Sequence, residues 1–298
     1  MVIVNWPHGL NCSDIFDECS FKGEKFNCCD YFLSLWTPYG RCFLLNSLQN
    51  NNHSSPHWLP ASYIRSEKQE LKLEVHHDVR VEILNEEDLP NQSLSSVNFV
   101  TVLGMKKTIK FYKEALVNDP EVRDMPPESR DCLFADEVPS RSIFKAYSYS
   151  ACISDCTRII QMEYCNCSLY NFNPFDNKQF PDCDYKGYLC VEQIGLISSD
   201  FQELMKYKGK CDCLPSCTES DLMDIYSSEE RNTPGKLTIS ISMSIAPEYQ
   251  FRRQVLRTKL DVIVSLGGIL GLFLGASILS IIEFIYYFTI RAVNNFRN

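Results

Sequence analysis

The sequence predicts an α+β fold: a disulfide-rich extracellular domain over residues 1–259, one transmembrane helix over 260–290, and a cytoplasmic tail over 291–298. Three observations predict it. From Val262 to Ile282 the chain runs VIVSLGGILGLFLGASILSII, twenty-one residues without a charge, bounded by Asp261 and Glu283. About 20 apolar residues in a helix cross a hydrocarbon core of roughly 30 Å. All fifteen cysteines lie in residues 1–259, a density that belongs to an oxidising compartment and a disulfide framework. Within those residues, stretches of period-two alternation and stretches of helical spacing both occur, which makes the domain mixed.

In chain order, residues 1–45 are dense in aromatics and carry Cys12, Cys19, Cys28, Cys29 and Cys42. Residues 46–60, NSLQNNNHSSPHWLP, are polar and turn-rich and predict a loop. Leu71, Leu73 and Val75, then Val79, Val81 and Ile83, alternate with polar residues and predict two short strands. Phe99–Leu103 and Thr108–Tyr112 predict two more, and three prolines in Asp119–Arg130 predict another loop. Ser148–Tyr164 has helical spacing, with Cys152 and Cys156 one turn apart on the same side. A second short helix is placed at Asp200–Tyr207. Leu237–Ile245 alternates strictly: Leu237, Ile239, Ile241, Met243 and Ile245 face one way, and Thr238, Ser240, Ser242 and Ser244 the other. That pattern predicts a strand with one buried face, placed to couple the exterior domain to the membrane. No internal repeat or low-complexity tract is present.

The formal net charge of −9 argues against a nucleic-acid partner. Four Asn-x-Ser triplets, at Asn11, Asn52, Asn91 and Asn166, fit an extracellular setting. Asn166, between Cys165 and Cys167, is too crowded to be used, which leaves Asn11, Asn52 and Asn91 as glycosylation sites. The positive-inside rule disagrees: Arg252, Arg253, Arg257 and Lys259 precede the span, and only Arg291 and Arg297 follow it. The cysteines decide, because large domains translocate largely regardless of charge. Met1–Leu10 is short and polar, with no secretory leader. An exterior domain with neither a leader nor a first span implies that something N-terminal is missing.

The ten later cysteines are Cys132, Cys152, Cys156, Cys165, Cys167, Cys183, Cys190, Cys211, Cys213 and Cys217. Their Cys-x-Cys and Cys-x3-Cys spacings suit zinc as well as disulfides, but exterior cysteines at this density pair. Spacing alone does not give the connectivity. None of His8, His53, His57, His76 and His77 sits in a metal-ligand or nucleophile motif, and no glycine-rich phosphate loop occurs. An enzyme is not expected, and no cofactor or metal is implied.

The span itself carries Gly267, Gly271 and Gly275 every fourth residue on one helix face, with Gly268 beside them. Small residues on one face let membrane helices pack closely. Two readings follow. In the first, a single-pass, disulfide-rich receptor oligomerises through this face. In the second, the helix breaks at Gly275-Ala276-Ser277, and the broken backbone lines a water-filled path where carbonyls coordinate a dehydrated cation. Leu260–Ile290 as one helix would be about 46 Å long, too long for an upright span, so it must tilt, break or project.

GGILGLFLGASILSIIEFIYY is similar to the second transmembrane segment of the degenerin / epithelial sodium channel family. The shared features are the glycine pair Gly267–Gly268, then Gly271–Phe273, the Gly-x-Ser at Gly275–Ser277, Ser277–Leu279, and Glu283. Upstream, SACISDCTRIIQMEYCNC (150–167) and CDCLPSCTESDL (211–222) resemble the family's cysteine-rich thumb, and FNCCDYFLSLWTPYGRCFLLNS (26–47) resembles its arthropod pickpocket branch. The likeness covers most of the chain and is weakest across 48–130.

The resemblance implies three subunits around one pore, each with cytoplasmic ends, two spans, and an exterior domain made of a β-sheet palm and a helical thumb. It places the thumb at about 132–217 and a palm strand at about 237–245. It assigns Gly275, Ala276 and Ser277 to the selectivity filter, and Val264, Ser265, Gly267, Gly268, Gly271 and Glu283 to the pore and its gate. Val264 departs from the family, which often carries a smaller residue there. The resemblance pairs Cys132–Cys217, Cys152–Cys213, Cys156–Cys211, Cys165–Cys190 and Cys167–Cys183. Independently, two cysteines one helical turn apart and two cysteines two residues apart on an extended chain suit two antiparallel rungs. It leaves Cys42 without its partner, which would lie just after a first span, so Cys42 is expected to be a free, alkylatable thiol. Cys12, Cys19, Cys28 and Cys29 then pair among themselves in an unassigned order. The family's first span, its cytoplasmic His-Gly motif and its first exterior strand are absent; His8-Gly9 is not that motif, and Met1 marks a partial gene model or a truncated isoform. Residues 1–298 alone are therefore expected to carry no current. The function implied is a subunit of a ligand- or mechanically gated sodium-selective channel in the plasma membrane. Its partners would be homologous subunits in a homo- or heterotrimer, membrane lipid, and an extracellular ligand or tether; sodium is the permeant ion.

Overall fold

The computed structural model describes residues 2–5, 10–59, 69–90, 97–114, 116–173, 180–197, 204–207, 211–218, 220–244, 251–275 and 278–291. They divide into two units: residues 1–118 with 125–252, and residues 119–124 with 253–298. In chain order the strands are β1 Val2–Asn5, β2 Phe16–Phe21, β3 Glu24–Phe26, β4 Leu33–Thr37, β5 Gly40–Leu44, β6 Glu70–Val75, β7 Val79–Ile83, β8 Val97–Thr101, β9 Met105–Glu114, β10 Leu116–Asn118, β11 Asp221–Arg231, β12 Leu237–Met243 and β13 Phe251–Arg253. The helices are the single turns α1 Cys12–Ile15, α2 Cys28–Tyr31, α3 Pro120–Arg123 and α4 Pro127–Arg130, then α5 Tyr149–Cys165, α6 Tyr185–Gln193, α7 Lys259–Leu274 and α8 Ile278–Ile285.

The two alternating stretches at 70–83 form strands of different sheets. A five-stranded antiparallel sheet runs β4-β5-β1-β7-β8, and a six-stranded sheet runs β11-β9-β12-β6-β2-β3, with β9 and β12 parallel. The apolar residues of the period-two pattern meet in one cluster. Leu71, Leu73 and Val75 of β6, Val79, Val81 and Ile83 of β7, and Leu237, Ile239 and Ile241 of β12 all belong to it, with Ile15, Phe16, Phe32 and Phe43. Phe16 stacks on Phe32 with ring centroids 4.5 Å apart. Burying each such side chain is worth about 1.5–3 kcal/mol, which is what fixes register in these strands. The β2–β3 hairpin turns through Lys22 and Gly23, both at positive φ, the backbone of a two-residue turn that follows strand twist.

Two expectations are corrected here, and a third lies largely outside the described residues. The strand at 237–245 does not have one buried face: Thr238 and Ser240 are buried too, because β12 lies inside the sheet between β6 and β9. Small hydroxyls fit that second face, and Asn232 Nδ2 donates to Thr238 Oγ1 at 2.9 Å. The strand ends at Met243, and Ile245 lies outside the described residues. The loop expected over Asp119–Arg130 contains α3 and α4, each with a proline in its first turn, where no N–H is needed. The helix placed at Asp200–Tyr207 is described only over Leu204–Tyr207, with a 3₁₀ turn at Met205–Tyr207.

Helix α5 starts at Ser148, whose Oγ accepts from the Ala151 N–H at 3.1 Å, and stops at left-handed Asn166. Its apolar face packs Ile153, Cys156 and Ile160 against Leu169, Phe172, Val191, Leu196 and Leu204. Helix α6, which the sequence pattern did not predict, is capped by Asp184, whose side chain accepts from Gly187 N at 2.8 Å. Gly187 has no room for a side chain: a Cβ there would clash with Cys167 Sγ and Cys183 Cβ.

Seven disulfides tie this unit together, with Cα–Cα separations of 4.9 to 5.8 Å. Cys12–Cys29 and Cys19–Cys28 join α1, α2 and β2. Cys132–Cys217, Cys152–Cys213, Cys156–Cys211, Cys165–Cys190 and Cys167–Cys183 form the ladder, in the pairing that the family resemblance implies.

Cys42 is free, but it is not the open thiol expected. It lies on β5 at 0% exposure among Leu35, Leu44, Leu89, Phe144 and Ala151, with Thr37 Oγ1 at 2.9 Å. Burial pushes the thiol up to about 12, against a smaller opposite effect of the Thr37 hydroxyl. A thiol must ionise and meet solvent to react. Alkylation of the oxidised chain is therefore expected to label one thiol in denaturant and to run about two orders of magnitude slower in the native state. Rapid native labelling would contradict the packing.

Glu87, buried, and Asp88, partly buried, are an acidic pair just after β7. Asp88 Oδ1 accepts from Ser150 Oγ at 3.0 Å and Oδ2 from Asn85 Nδ2 at 3.2 Å; Glu87 Oε1 accepts from Thr218 Oγ1 at 3.1 Å. The pair thus joins the β7 exit to the start of α5 and to the link that enters β11. Burial first, then the charge of Asp88, pushes Glu87 from 4.5 up to about 7. Burial raises Asp88 as well. A carboxyl whose folded pKa is raised binds its proton more tightly when folded. Its stabilisation is complete below about 4.5 and is lost as pH rises through about 7, on the order of 3 kcal/mol for Glu87. Urea unfolding at pH 4.5, 6 and 8 is expected to show this fall, and Glu87→Gln to flatten it. A Glu87→Gln slope equal to the parent's would contradict the assignment.

Candidate functional site

The second unit carries the apolar run. Its entry is fixed by a reciprocal cap: Thr258 Oγ1 accepts from Asp261 N at 3.2 Å, and Asp261 Oδ2 accepts from Thr258 N at 2.9 Å. This is a capping box in Thr-x-x-Asp form, a sequence signal that the reading of the run as a bare span passed over. Helix α7 then runs sixteen residues to Leu274. It stops because Gly275 is left-handed, φ +60° and ψ 17°, with its N–H returned to Leu270 O. A left-handed residue ends a helix, and glycine takes that conformation at no steric cost. Helix α8 follows over eight residues, and a π-helical turn covers Tyr286–Arg291.

In place of one helix over 260–290 there are two. Helix α7 is about 24 Å long and α8 about 12 Å, so neither reaches the roughly 30 Å of a hydrocarbon core. No helix among the described residues is long and apolar enough to cross a membrane.

Of the assigned pore and gate positions, Val264, Ser265, Gly267, Gly268 and Gly271 lie on α7 and Glu283 on α8, all exposed. A Cβ on Gly267 or Gly268 would meet nothing within 4 Å among the described residues, so neither glycine is used there for close packing. Gly275 stands at the break; Ala276 and Ser277 lie outside the described residues. The helices also expose their large side chains, with Leu272 81% and Phe273 77% accessible. Apolar surface on this scale marks a membrane or protein contact.

The other assigned positions lie in the first unit. Asn11 and Asn52 are exposed, and Asn91 lies outside the described residues. Asn166 is exposed as well, so crowding by its neighbouring disulfides does not remove it from solvent. His53 faces Glu86 at 3.3 Å, His76 faces Asp17 at 3.7 Å, and His57 meets the Tyr31 ring edge-on. Among the described residues no three His, Cys, Asp or Glu side chains gather as a metal site.

The model of the amiloride-sensitive sodium channel family matches residues 2–287. The chain belongs to that family. Among similar members of the channel family, sodium channel protein Nach of Drosophila melanogaster is 24% identical, with 96% of this chain and 60% of that protein covered. Pickpocket protein 19 of Drosophila melanogaster is 21% identical, covering 92% and 60%. Acid-sensing ion channel 2 of Homo sapiens is 24% identical, covering 94% and 57%. The family match extends over both units and through α8. The chain spans about three-fifths of the length of the curated relatives it matches.

Proposed function

We propose that this chain is a subunit of a sodium-selective cation channel, and that α7, the Gly275 break and α8 line the pore. The observation that carries the reading is the left-handed glycine in the middle of an apolar, exposed helix pair. Non-helical backbone at membrane depth persists only where protein buries it or water lines it. A ring of such breaks, one from each subunit, offers carbonyl oxygens that replace an ion's hydration shell. In this reading Gly275, Ala276 and Ser277 form the constriction, and Glu283 lies on its inner side. Val264, Ser265, Gly267, Gly268 and Gly271 line the approach and move when the channel gates. The disulfide-rich unit is extracellular and receives a ligand or a mechanical load, β12 relays it, and the C-terminus is cytoplasmic. The protein catalyses no bond chemistry, requires no cofactor, and meets homologous subunits and lipid in the plasma membrane.

The open face at Gly267 and Gly268 also favours a second reading, a receptor that oligomerises without conducting. Assembly and current together separate the two. In a complete channel, Gly271→Leu puts a branched side chain where backbones must approach, so trimer recovered in mild detergent should fall about tenfold and sodium current with it. An oligomer disrupted by Gly271→Leu whose parent passes no sodium current would favour the receptor, and full assembly of the variant would place the glycine row against lipid.

A further inference from the structure

Two of the four Asn-x-Ser triplets have a cysteine in the middle: Asn11-Cys12-Ser13 and Asn166-Cys167-Ser168. Both of these cysteines are bonded, Cys12 to Cys29 and Cys167 to Cys183. The disulfide does not crowd Asn166 itself. Cys167 turns inward, at 8% exposure, while Asn166 is exposed at the exit of α5. Its backbone makes the turn: φ is +55°, and its N–H donates to Met162 O at 3.0 Å. Asparagine tolerates this left-handed conformation better than most residues. Its side-chain amide has no hydrogen-bond partner among the described residues, so a sugar attached there displaces no contact of that amide.

The hydroxyl of the same triplet is locked away. Ser168 is fully buried, and its Oγ donates to Gln161 Oε1 at 3.1 Å. Its N–H donates to Pro181 O at 3.0 Å, and its carbonyl accepts from Cys183 N at 3.0 Å. The Cys167–Cys183 bond closes the same clamp. At Asn11 and Asn52 the serines two residues on, Ser13 and Ser54, stay exposed. An N-glycan is transferred to an accessible Asn-x-Ser triplet. The folded chain offers an accessible triplet at Asn11 and Asn52 but not at Asn166, whereas the chain before closure offers one at all three.

We infer that Asn166 is an N-glycosylation site whose glycan is attached only before Cys167–Cys183 closes. In the transfer, Asn166 Nδ2 loses a proton to solvent and forms a bond to the anomeric carbon of a lipid-linked oligosaccharide. The bond from that carbon to the lipid pyrophosphate breaks, and the pyrophosphate leaves with the electron pair. The chain has time for this step. Cys183 follows Cys167 by 16 residues, roughly 1–3 s of synthesis at about 5–20 residues per second, and disulfides take seconds or longer to form. Copies that close first bury Ser168 and stay bare, so occupancy is partial. Attachment requires the disulfide-rich unit to be extracellular, the placement proposed above.

The test expresses the complete channel in cultured cells and treats the total cellular chain with a peptide N-glycosidase in heavy-oxygen water. Peptide mass then reads the occupancy of Asn11, Asn52 and Asn166. Asn52 has no cysteine in its triplet and serves as the control. The expected result is partial occupancy at Asn166 in the parent, rising about twofold in Cys183→Ala and after a brief dithiothreitol pulse during synthesis, with Asn52 unchanged. Transfer precedes folding, so the measurement stands even if Cys183→Ala does not reach its native fold. A bare Asn166 in a parent whose Asn52 is glycosylated would overturn the inference, and so would an Asn166 occupancy that neither treatment raises. Bare asparagines at all three sites would instead contradict the extracellular placement, and the inference would fall with it.

Discussion

Replacing Cys132 and Cys217 together by alanine is expected to lower the unfolding free energy by about 4.5 kcal/mol. This bond closes a sequence separation of 85 residues, the longest of the seven. In the chain-entropy account its loss frees more of the unfolded chain than the loss of a short loop does. The bond is also fully buried against Phe134, and the segment it anchors is tied on both sides of the rung: Leu133 N donates to Pro215 O, and Cys217 N donates to Leu133 O. Asn118 Nδ2 adds a bond to Cys217 O at 2.7 Å. Removing Cys167–Cys183, with a separation of 16, should cost less, about 3 kcal/mol. Denaturant midpoints of the two double variants check this, because the ordering is sharper than either number. A larger loss at Cys167–Cys183 would mean that the packing around Gly187, and not chain entropy, governs the ladder.

What was legible in the sequence follows from burial. Strands β6, β7 and β12 and helix α5 have their apolar residues at the period of the element, since each must bury a face. The second covered face of β12 was hidden because serine and threonine alternate with isoleucine whether they meet solvent or a close-packed layer. Strand β11 left no pattern at all. Its residues are mostly exposed, and it is held as an edge strand by ladder bonds to β9 and by cross-strand pairs such as Lys107 with Glu229. Helix α6 buries little beyond Val191 and is set by Asp184 and two disulfides, so its sequence reads as polar. The acidic pair at 87–88 looks like a solvated run in Asn85-Glu86-Glu87-Asp88. Only the arrival of Ser150 and Thr218, more than sixty residues away, buries it.

The proposed pore rests on a different kind of signal. The glycine spacing and the likeness to the channel family both point to 267–277, and the excess length of the apolar run required a tilt, a break or a projection. Which glycine carries the break is a backbone property. Gly267, Gly268, Gly271 and Gly275 are alike in sequence, and only Gly275 is left-handed. Its distinction is that its N–H closes the last turn of α7 on Leu270 O.

The second large effect is on permeation. In the proposed channel, Ser277→Asp sets one added carboxylate per subunit at the constriction, next to the Gly275 break. A ring of charged side chains at a narrow point holds cations more strongly and reorders their selectivity. Surface expression should stay within about twofold, because the change is confined to the pore. The most direct measurement is the reversal potential of the complete channel, with sodium outside and potassium inside, for the parent and for Ser277→Asp. A sodium-selective parent whose reversal potential shifts by about 20 mV or more in the variant, or whose current is blocked at normal surface expression, is the predicted result. An unchanged reversal potential with unchanged conductance would contradict the claim that this segment lines the pore.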